Sequence, residues 1–600
     1  MTRALVLLLL LGQPASPQAA DLPSWLIDPP RRNVSLDDDA ERMAWSRGPI
    51  VEVASLESTA DPARHELPGH VEALRWVDDR LLVHSSSVGE ERLDLVHPES
   101  GKTRALAAVT AEDRLRLRIV DVRDRRILFA SDQRRRYEPD LYAAELPDLH
   151  VEMVERNPGW VWSWRTDQRG EVRMAQRWRP SGSGIRYDWL LRRGGLWQTV
   201  GGFDLGDDEE QVLRITDRGL LLAQFVDSRS VLRWFDPLSR QYGEPVWEGE
   251  SRILGVVDAL DGPPGLIALE AERPKTLSLS GLWPDRLARL EKDFPGYTPV
   301  LVDRAPGDRT LLWKLYSDRD PGRYVLQADT GEASAVLHEA DAIDPARSRP
   351  VQTFSFTSRD GLELSGYVTG ATEGKARPGV ILVHGGPWAR DSWGFHPEAQ
   401  YLAGQGYAVI QVNFRGSRGL GSDLLRAGRR EWGRAMQTDL VDAADAAVEA
   451  GWVDPDRICI MGASYGGYAA LMGVLQHPET FRCAISRAPV TDLPGYVEAI
   501  RSSNNRRGYL EWREMVGADA RLRAVSPYTL AAGLERPVLI AHGKHDRVVP
   551  LAHSRRFAEA TDLADLLVLD ARHRMLDGES RRTFYAAVTE FLSGQLDRAE

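Results

Sequence analysis

The sequence predicts two domains of different class in one 600-residue chain: an all-β N-terminal part and a doubly wound, mostly parallel α/β C-terminal part. Three observations predict this. From Leu22 to about Asp344, short strand-like runs recur between turn clusters with few credible long helices. From about Pro350 onward, continuous apolar strands alternate with segments of helical spacing. Within that second region, Arg457 to Tyr468 reads as a strand, a sharp turn and a helix, with Gly462-Ala-Ser-Tyr-Gly466 at the turn. The length supports at least two cores.

Met1 to Ala20 carries one early arginine, Arg3, an apolar core from Ala4 to Leu11 and a small-residue tail ending Ala19-Ala20. This is the pattern of a secretory signal, and its apolar run is too short to span a bilayer. The expectation is a secreted, periplasmic protein cleaved near Ala19 or Ala20, with no other membrane span. The expected division is signal peptide 1–20, β domain with an N-terminal extension 21–345, and α/β domain 346–600. A net charge of -12 argues against nucleic acid and predicts neutral or cationic solutes as partners. Only two cysteines occur, Cys459 and Cys483, both in predicted buried strands. Free thiols are the expectation, with a bridge between adjacent strands as the alternative.

In the β region, runs such as Leu81-Leu-Val83, Arg126 to Ala130, Tyr187 to Leu191, Gly219 to Ala223, Val231 to Trp234 and Thr310 to Lys314 point to a sandwich, barrel or propeller. Thirteen of the eighteen tryptophans lie before residue 345, and the alternating Trp160-Val-Trp-Ser-Trp164 fits packing between stacked sheets better than ligand stacking. No repeat is clean enough to count blades.

The α/β region opens with a hairpin, Val351 to Phe356 and Leu362 to Val368 about the turn Ser358-Arg-Asp-Gly361. Strands follow at Val380 to Val383, Ala408 to Val412, Ile458 to Met461, Ala484 to Ser486, Val538 to Ala541 and Leu566 to Leu569. Helical spacing marks Asp439 to Ala450, Arg555 to Ala560 and Thr583 to Leu596. In the G-x-S-x-G elbow the serine occupies a strained turn, and glycines on either side let strand and helix pass close. Ser464 is therefore the candidate nucleophile. Such a serine needs a base, and the base an orienting carboxylate, in the chain order Ser, Asp or Glu, His. Asp546 lies just past the strand ending at Ala541, and His573 just past the strand ending at Leu569. All three are expected at one sheet edge.

For an oxyanion hole, the N–H of Tyr465 directly follows the serine, and the loop His384-Gly-Gly-Pro387 supplies a second donor, Gly386 being favoured over Gly385. His384 reads as structural. His542 and His545 are poor candidates for the base, since His545 adjoins Asp546.

The set His384-Gly-Gly-Pro387, Asn413-Phe-Arg-Gly-Ser417, Gly462-Ala-Ser-Tyr-Gly-Gly-Tyr468, His542-Gly-x-x-Asp546-x-x-Val-Pro550 and the late His573 resembles the prolyl oligopeptidase family of serine peptidases, most of all its bacterial acylaminoacyl-peptidase and dipeptidyl-aminopeptidase-like members. The motifs are specific from about Pro350 to Leu596. The resemblance implies a β-propeller of seven or eight blades capping a C-terminal α/β-hydrolase domain. It implies Ser464 as nucleophile, His573 as base and then acid, Asp546 as its orienter, and an S1 pocket of Tyr465, Val490, Leu493, Tyr496 and Val549. Arg574 follows His573 where a glycine is common, and Leu493 stands where the prolyl-specific dipeptidyl branch has tryptophan, which widens the pocket. No convincing paired-glutamate motif for gripping a free N-terminus is present, so aminodipeptidase activity is not implied.

The sequence thus reads as an oligopeptidase acting through an acyl-enzyme after apolar P1 residues, without metal or organic cofactor, sparing large proteins. A carboxylesterase using the same triad is the alternative, and a non-catalytic propeller binding protein the alternative of another class.

Overall fold

The computed structural model describes residues 22–596, apart from 59, 111–115, 124, 183, 208–209, 227–228, 259–263, 271–272, 281–282, 342, 373, 504 and 519. The signal-like segment 1–20 lies outside the described residues. No helix among them is long and apolar enough to cross a membrane.

Residues 32–338 form seven antiparallel sheets of consecutive strands, six with four described strands and the sixth with three: a seven-bladed propeller. The blades cover residues 32–66, 70–110, 117–155, 161–204, 211–249, 252–278 and 298–338. Their central strands read as unbroken apolar runs because both faces are buried between neighbouring blades. In the strand Arg80–Ser86, Leu81 and Val83 pack with Ala44 and Val51 of blade 1, whereas Leu82 packs with Ile127 and Phe129 of blade 3. The strand Gly219–Val226 does the same, Leu220 and Leu222 meeting Met174 and Trp189, while Leu221 and Ala223 meet Ile253 and Ile267. The ring closes where Leu312 of blade 7 packs with Val34, Met43 and Trp45 of blade 1, and where Ser35 donates to Asp303 at 2.8 Å.

The tryptophan run divides between two tasks. Trp164 packs between blades 3 and 4 with Ala130 and Leu141. Trp160 stacks on Trp178 at 5.2 Å and, with Trp162, faces the second domain, where Arg506 and Arg507 lie over the two rings.

The second domain is built on one eight-stranded sheet, whose strands we number β1 (Val351–Thr357), β2 (Glu363–Thr369), β3 (Arg377–Val383), β4 (Ala408–Asn413), β5 (Val453–Ala463), β6 (Cys483–Arg487), β7 (Val538–Gly543) and β8 (Ala564–Leu569). Their spatial order is β1-β2-β4-β3-β5-β6-β7-β8, all parallel except β2. This is an α/β-hydrolase sheet. Its strands bury alternate residues on opposite faces: Ile381, Val383, Ile458 and Ile460 on one, Val380, Leu382, Cys459 and Met461 on the other. The helices Ala435–Glu449 and Tyr465–Gln476 cover the first face, and Pro397–Gly404 and Gly578–Leu596 the second.

Two details go beyond the sequence reading. Cys459 and Cys483 are disulfide-bonded and not free thiols. Their strands β5 and β6 are parallel neighbours with these two residues in register, Cα atoms 4.7 Å apart, which brings both thiols to one face. The N-terminal extension bridges the two domains: Leu22, Leu26 and Ile27 join the apolar cluster of Phe584, Val588 and Leu592 in the hydrolase, while Asp28 pairs with Arg47 of blade 1 at 3.3 Å.

Candidate active site

The elbow is shaped by what its glycines leave out. A Cβ on Gly462 would stand 2.6 Å from the Gly466 backbone and 2.7 Å from the Val383 carbonyl, and one on Gly466 would meet the same carbonyl. Strand β5 and the helix Tyr465–Gln476 can therefore cross only with glycine at both places. Between them Ser464 takes φ 58° and ψ -115°, an unfavourable conformation for a residue with a Cβ. Its N–H donates to Arg487 O at 2.8 Å, and its carbonyl accepts the Tyr468 N–H at 3.0 Å, the first turn of the helix. Its hydroxyl faces a cavity at the helix N-terminus.

Asp546 and His573 meet as their positions past β7 and β8 require. His573 Nδ1 donates to Asp546 Oδ2 at 2.7 Å. With Nδ1 carrying the proton, Nε2 is left as the basic nitrogen. Asp546 is 6% exposed, and its Oδ1 accepts the N–H groups of Val548 and Val549, each at 2.9 Å. Burial pushes its carboxyl up, but hydrogen bonds from His542, His573 and the Val549 N–H outweigh that and bring its pKa to about 2. His542 is fully buried; its Nε2 donates to Val549 O at 2.8 Å and lies 3.2 Å from Asp546 Oδ2, while Nδ1 accepts from Ser554 Oγ at 2.7 Å. It is a support for the aspartate, a role its place in the sequence does not announce. His545 is turned outward, bonded to Asp570 at 2.8 Å.

The loop after β3 carries His384, Gly385 and Gly386. His384 stacks on Phe414 at 4.3 Å and donates from Nδ1 to Gly385 O at 2.9 Å. Burial lowers its pKa. Because the peptide is planar, turning the Gly385 carbonyl toward the histidine turns the Gly386 N–H the opposite way. Gly386 holds φ 119°, which a residue with a Cβ rarely adopts. Gly385 lies against the elbow, its Cβ position 3.8 Å from Ser464 Cβ.

A cavity of about 770 Å³ between the two domains contains Ser464, His573 and Gly385. Its walls come from both: His70 and Tyr316 of the propeller, Trp25 of the N-terminal extension, and Trp393, Arg487 and Tyr585 of the hydrolase. Val490, Leu493 and Val549 are instead buried with Tyr465 in an apolar cluster beside the elbow, and Tyr496 is half-buried there against Trp512 at 4.9 Å. None of these four lines the described cavity. The Tyr465 hydroxyl is enclosed in that cluster without a hydrogen-bond partner among the described residues. Among residues the sequence does not single out, Arg487 was within reach of it: it ends the strand next to the elbow and its carbonyl holds the Ser464 N–H. His70 was not, since nothing in a blade strand marks which end faces the other domain.

Residues 393–599 match the prolyl oligopeptidase family. The dipeptidyl aminopeptidase BIII of Pseudoxanthomonas mexicana is 27% identical over 94% of this chain and 87% of its own length. Dipeptidyl peptidase family member 6 of Caenorhabditis elegans is 39% identical, over 30% of this chain and 26% of its own. Among solved structures, a puromycin hydrolase superposes with a TM-score of 0.73 at 18% identity, covering 95% of each chain, and the acylaminoacyl peptidase of Pyrococcus horikoshii with 0.66 at 16%, covering 95% of this chain and 96% of its own.

Proposed function

This chain is a propeller-capped serine peptidase of the prolyl oligopeptidase family, and from that premise we propose that it hydrolyses oligopeptides through a Ser464-Asp546-His573 triad. The observation that carries the proposal is the hydrogen bond to Asp546 from Nδ1 of His573, which lines the same cavity as Ser464. It leaves Nε2 to take the Ser464 proton as Oγ attacks the scissile carbonyl. The oxyanion of the tetrahedral intermediate accepts from the N–H groups of Tyr465 and Gly386, held in place before the charge develops. His573 then protonates the leaving amine, and water, activated by the same nitrogen, attacks the acyl-enzyme and releases Ser464.

The preference for an apolar P1 side chain is assigned to the side of Tyr465, where Val490, Leu493, Tyr496 and Val549 form an apolar cluster adjoining the elbow. A folded protein cannot carry an extended segment past the propeller to Ser464, whereas a flexible peptide can. The signal-like N-terminus and the Cys459–Cys483 bridge favour a secreted, periplasmic setting.

The test compares one cleavable sequence as a free peptide and as an exposed flexible loop of a rigid host protein. The proposal expects cleavage of the peptide and sparing of the host. Equal kcat/KM for the two overturns the gating, and hydrolysis of simple esters with no cleavage of any peptide would assign a carboxylesterase.

A further inference from the structure

The cavity in front of Ser464 has a charge opposite to that of the chain. Among its lining residues five carry fixed positive charge, Arg32, Lys314, Arg487, Arg574 and Arg581, against three carboxylates, Glu72, Glu339 and Glu398. Lys314 and Glu339 neutralise each other in an ion pair, and Glu398 accepts from the Tyr585 hydroxyl at 3.2 Å. Four arginines remain beside two carboxylates, Glu72 and Glu398, a net excess of two positive charges. Among the described residues none of them is ion-paired with a carboxylate. Arg487 lies over the Phe584 ring, and Arg581 donates Nε to Met575 O at 3.0 Å. Asp577, four residues before Arg581, accepts the Ser580 N–H at 2.7 Å at the start of the C-terminal helix.

These groups feel one another. The guanidinium of Arg581 is held below its ordinary pKa by burial first and by Arg487 and Arg32 after it, with Tyr585 and Asp577 opposing. The His70 imidazole is likewise depressed, by burial and then by Arg32, Arg574 and Arg581 against Glu72. Four like charges around one cavity, one from the propeller and three from the hydrolase, are costly when empty and well placed to receive an anion.

We propose that this cluster binds a carboxylate of the substrate on the leaving-group side of the scissile bond, so that peptides with a free C-terminus or an acidic residue shortly after the cleavage point are preferred. The proposal rests on the roles of Ser464 and His573 given above and adds the substrate class. The side is set by His573: the base must hand its proton to the departing amine, and Arg574 follows it directly. Arg487 fixes the other flank, since its own carbonyl holds the Ser464 N–H. The whole-chain charge of -12 predicts neutral or cationic partners, and the cavity reverses that sign. A carboxylate with two or more guanidinium hydrogen bonds gains roughly tenfold or more over its neutral amide.

The test uses one peptide sequence with an apolar P1 in four forms: free acid, C-terminal amide, amide with glutamate two residues past the scissile bond, and amide with lysine there. The wild-type full chain should cleave the free acid at least about tenfold faster in kcat/KM than the plain amide, with the lysine form slowest. Recovery in the glutamate form shows that a side-chain carboxylate serves; recovery in the free acid alone assigns the chain terminus. Arg581→Gln and, at the more exposed position, Arg574→Gln should bring the acid-to-amide ratio toward one. A wild-type ratio near one, or a ratio unchanged in both variants, overturns the proposal. Titration of the same peptides into Ser464→Ala separates this from the catalytic reading: failure of the wild type to cleave any peptide sinks the peptidase assignment, whereas equal affinity of the variant for acid and amide sinks the carboxylate site.

Discussion

Glu270, on blade 6, is ion-paired with Arg390, four residues past Gly386 in the loop after β3. The pair crosses from propeller to hydrolase with both side chains about nine-tenths buried, and Glu270 Oε1 also accepts from Ser392 Oγ at 2.7 Å. Arg390 in turn donates to Gly419 O at 3.2 Å. Burial, with Arg252 close by, brings the Arg390 pKa down to about 10. The propeller thus holds the loop that carries Gly386, the proposed second oxyanion donor. Glu270→Gln keeps the shape and leaves Arg390 buried without its counter-charge, a loss on the order of 3 kcal/mol or more in such sites. The expected result is a kcat reduced about tenfold or more with KM changed less, and a folded protein by circular dichroism. Unchanged kcat would mean that the loop keeps its shape without the propeller.

Protonation of Asp546 should not set the acid limb of the pH profile. Asp546 has its pKa lowered from 3.8 to about 2, so it stays a carboxylate wherever the enzyme is assayed. Activity falls on acidification because imidazolium cannot accept the serine proton. The stability that Asp546 contributes is fully present above pH 3.8 and is lost as pH falls through about 2. Any fall in rate above pH 3.8 should therefore leave that stability intact. Coincident loss of activity and of native fluorescence on acidification would contradict the assignment.

Replacing the two histidines of the C-terminal loops should separate base from bystander. His573→Ala removes the group bonded to Asp546 and should cost several orders of magnitude in kcat. His545→Ala removes only a surface contact to Asp570 and should change kcat less than about twofold. The reverse ranking would move the base.

Gly466→Ala places a methyl group against the Val383 carbonyl, where backbone, and no flexible side chain, must give way. Overpacking of this kind costs roughly 1–3 kcal/mol. In a domain of this size that lowers Tm by about 3–10 °C, and the distorted turn should also lose activity. A variant with unchanged Tm and rate would show that the strand–helix approach is looser than the elbow requires.

What the sequence made legible follows from which signals are local. The hydrolase strands could be read because parallel strands buried on both faces give continuous apolar runs such as Val380 to Val383, and the elbow because its glycines are required within five residues. The blade count could not, since Leu81 and Leu82 serve two different neighbours and no motif repeats with the blade. Trp160 and Trp162 pack across a domain boundary that no local pattern announces. The cysteine pairing depended on β5 and β6 being neighbours in register, a property of topology. The cavity charge was hidden for the same reason: Arg32, Arg487, Arg574 and Arg581 come from distant segments, and a sum over the chain has the opposite sign.

The central claim, that Ser464 is the nucleophile of a peptidase, is tested most directly by the kcat/KM of Ser464→Ala on a good oligopeptide substrate. The account predicts a fall of several orders of magnitude, on the scale seen when a triad serine is removed, with Tm and the His573–Asp546 arrangement retained. Hydrolysis at a rate near that of the wild type would contradict it.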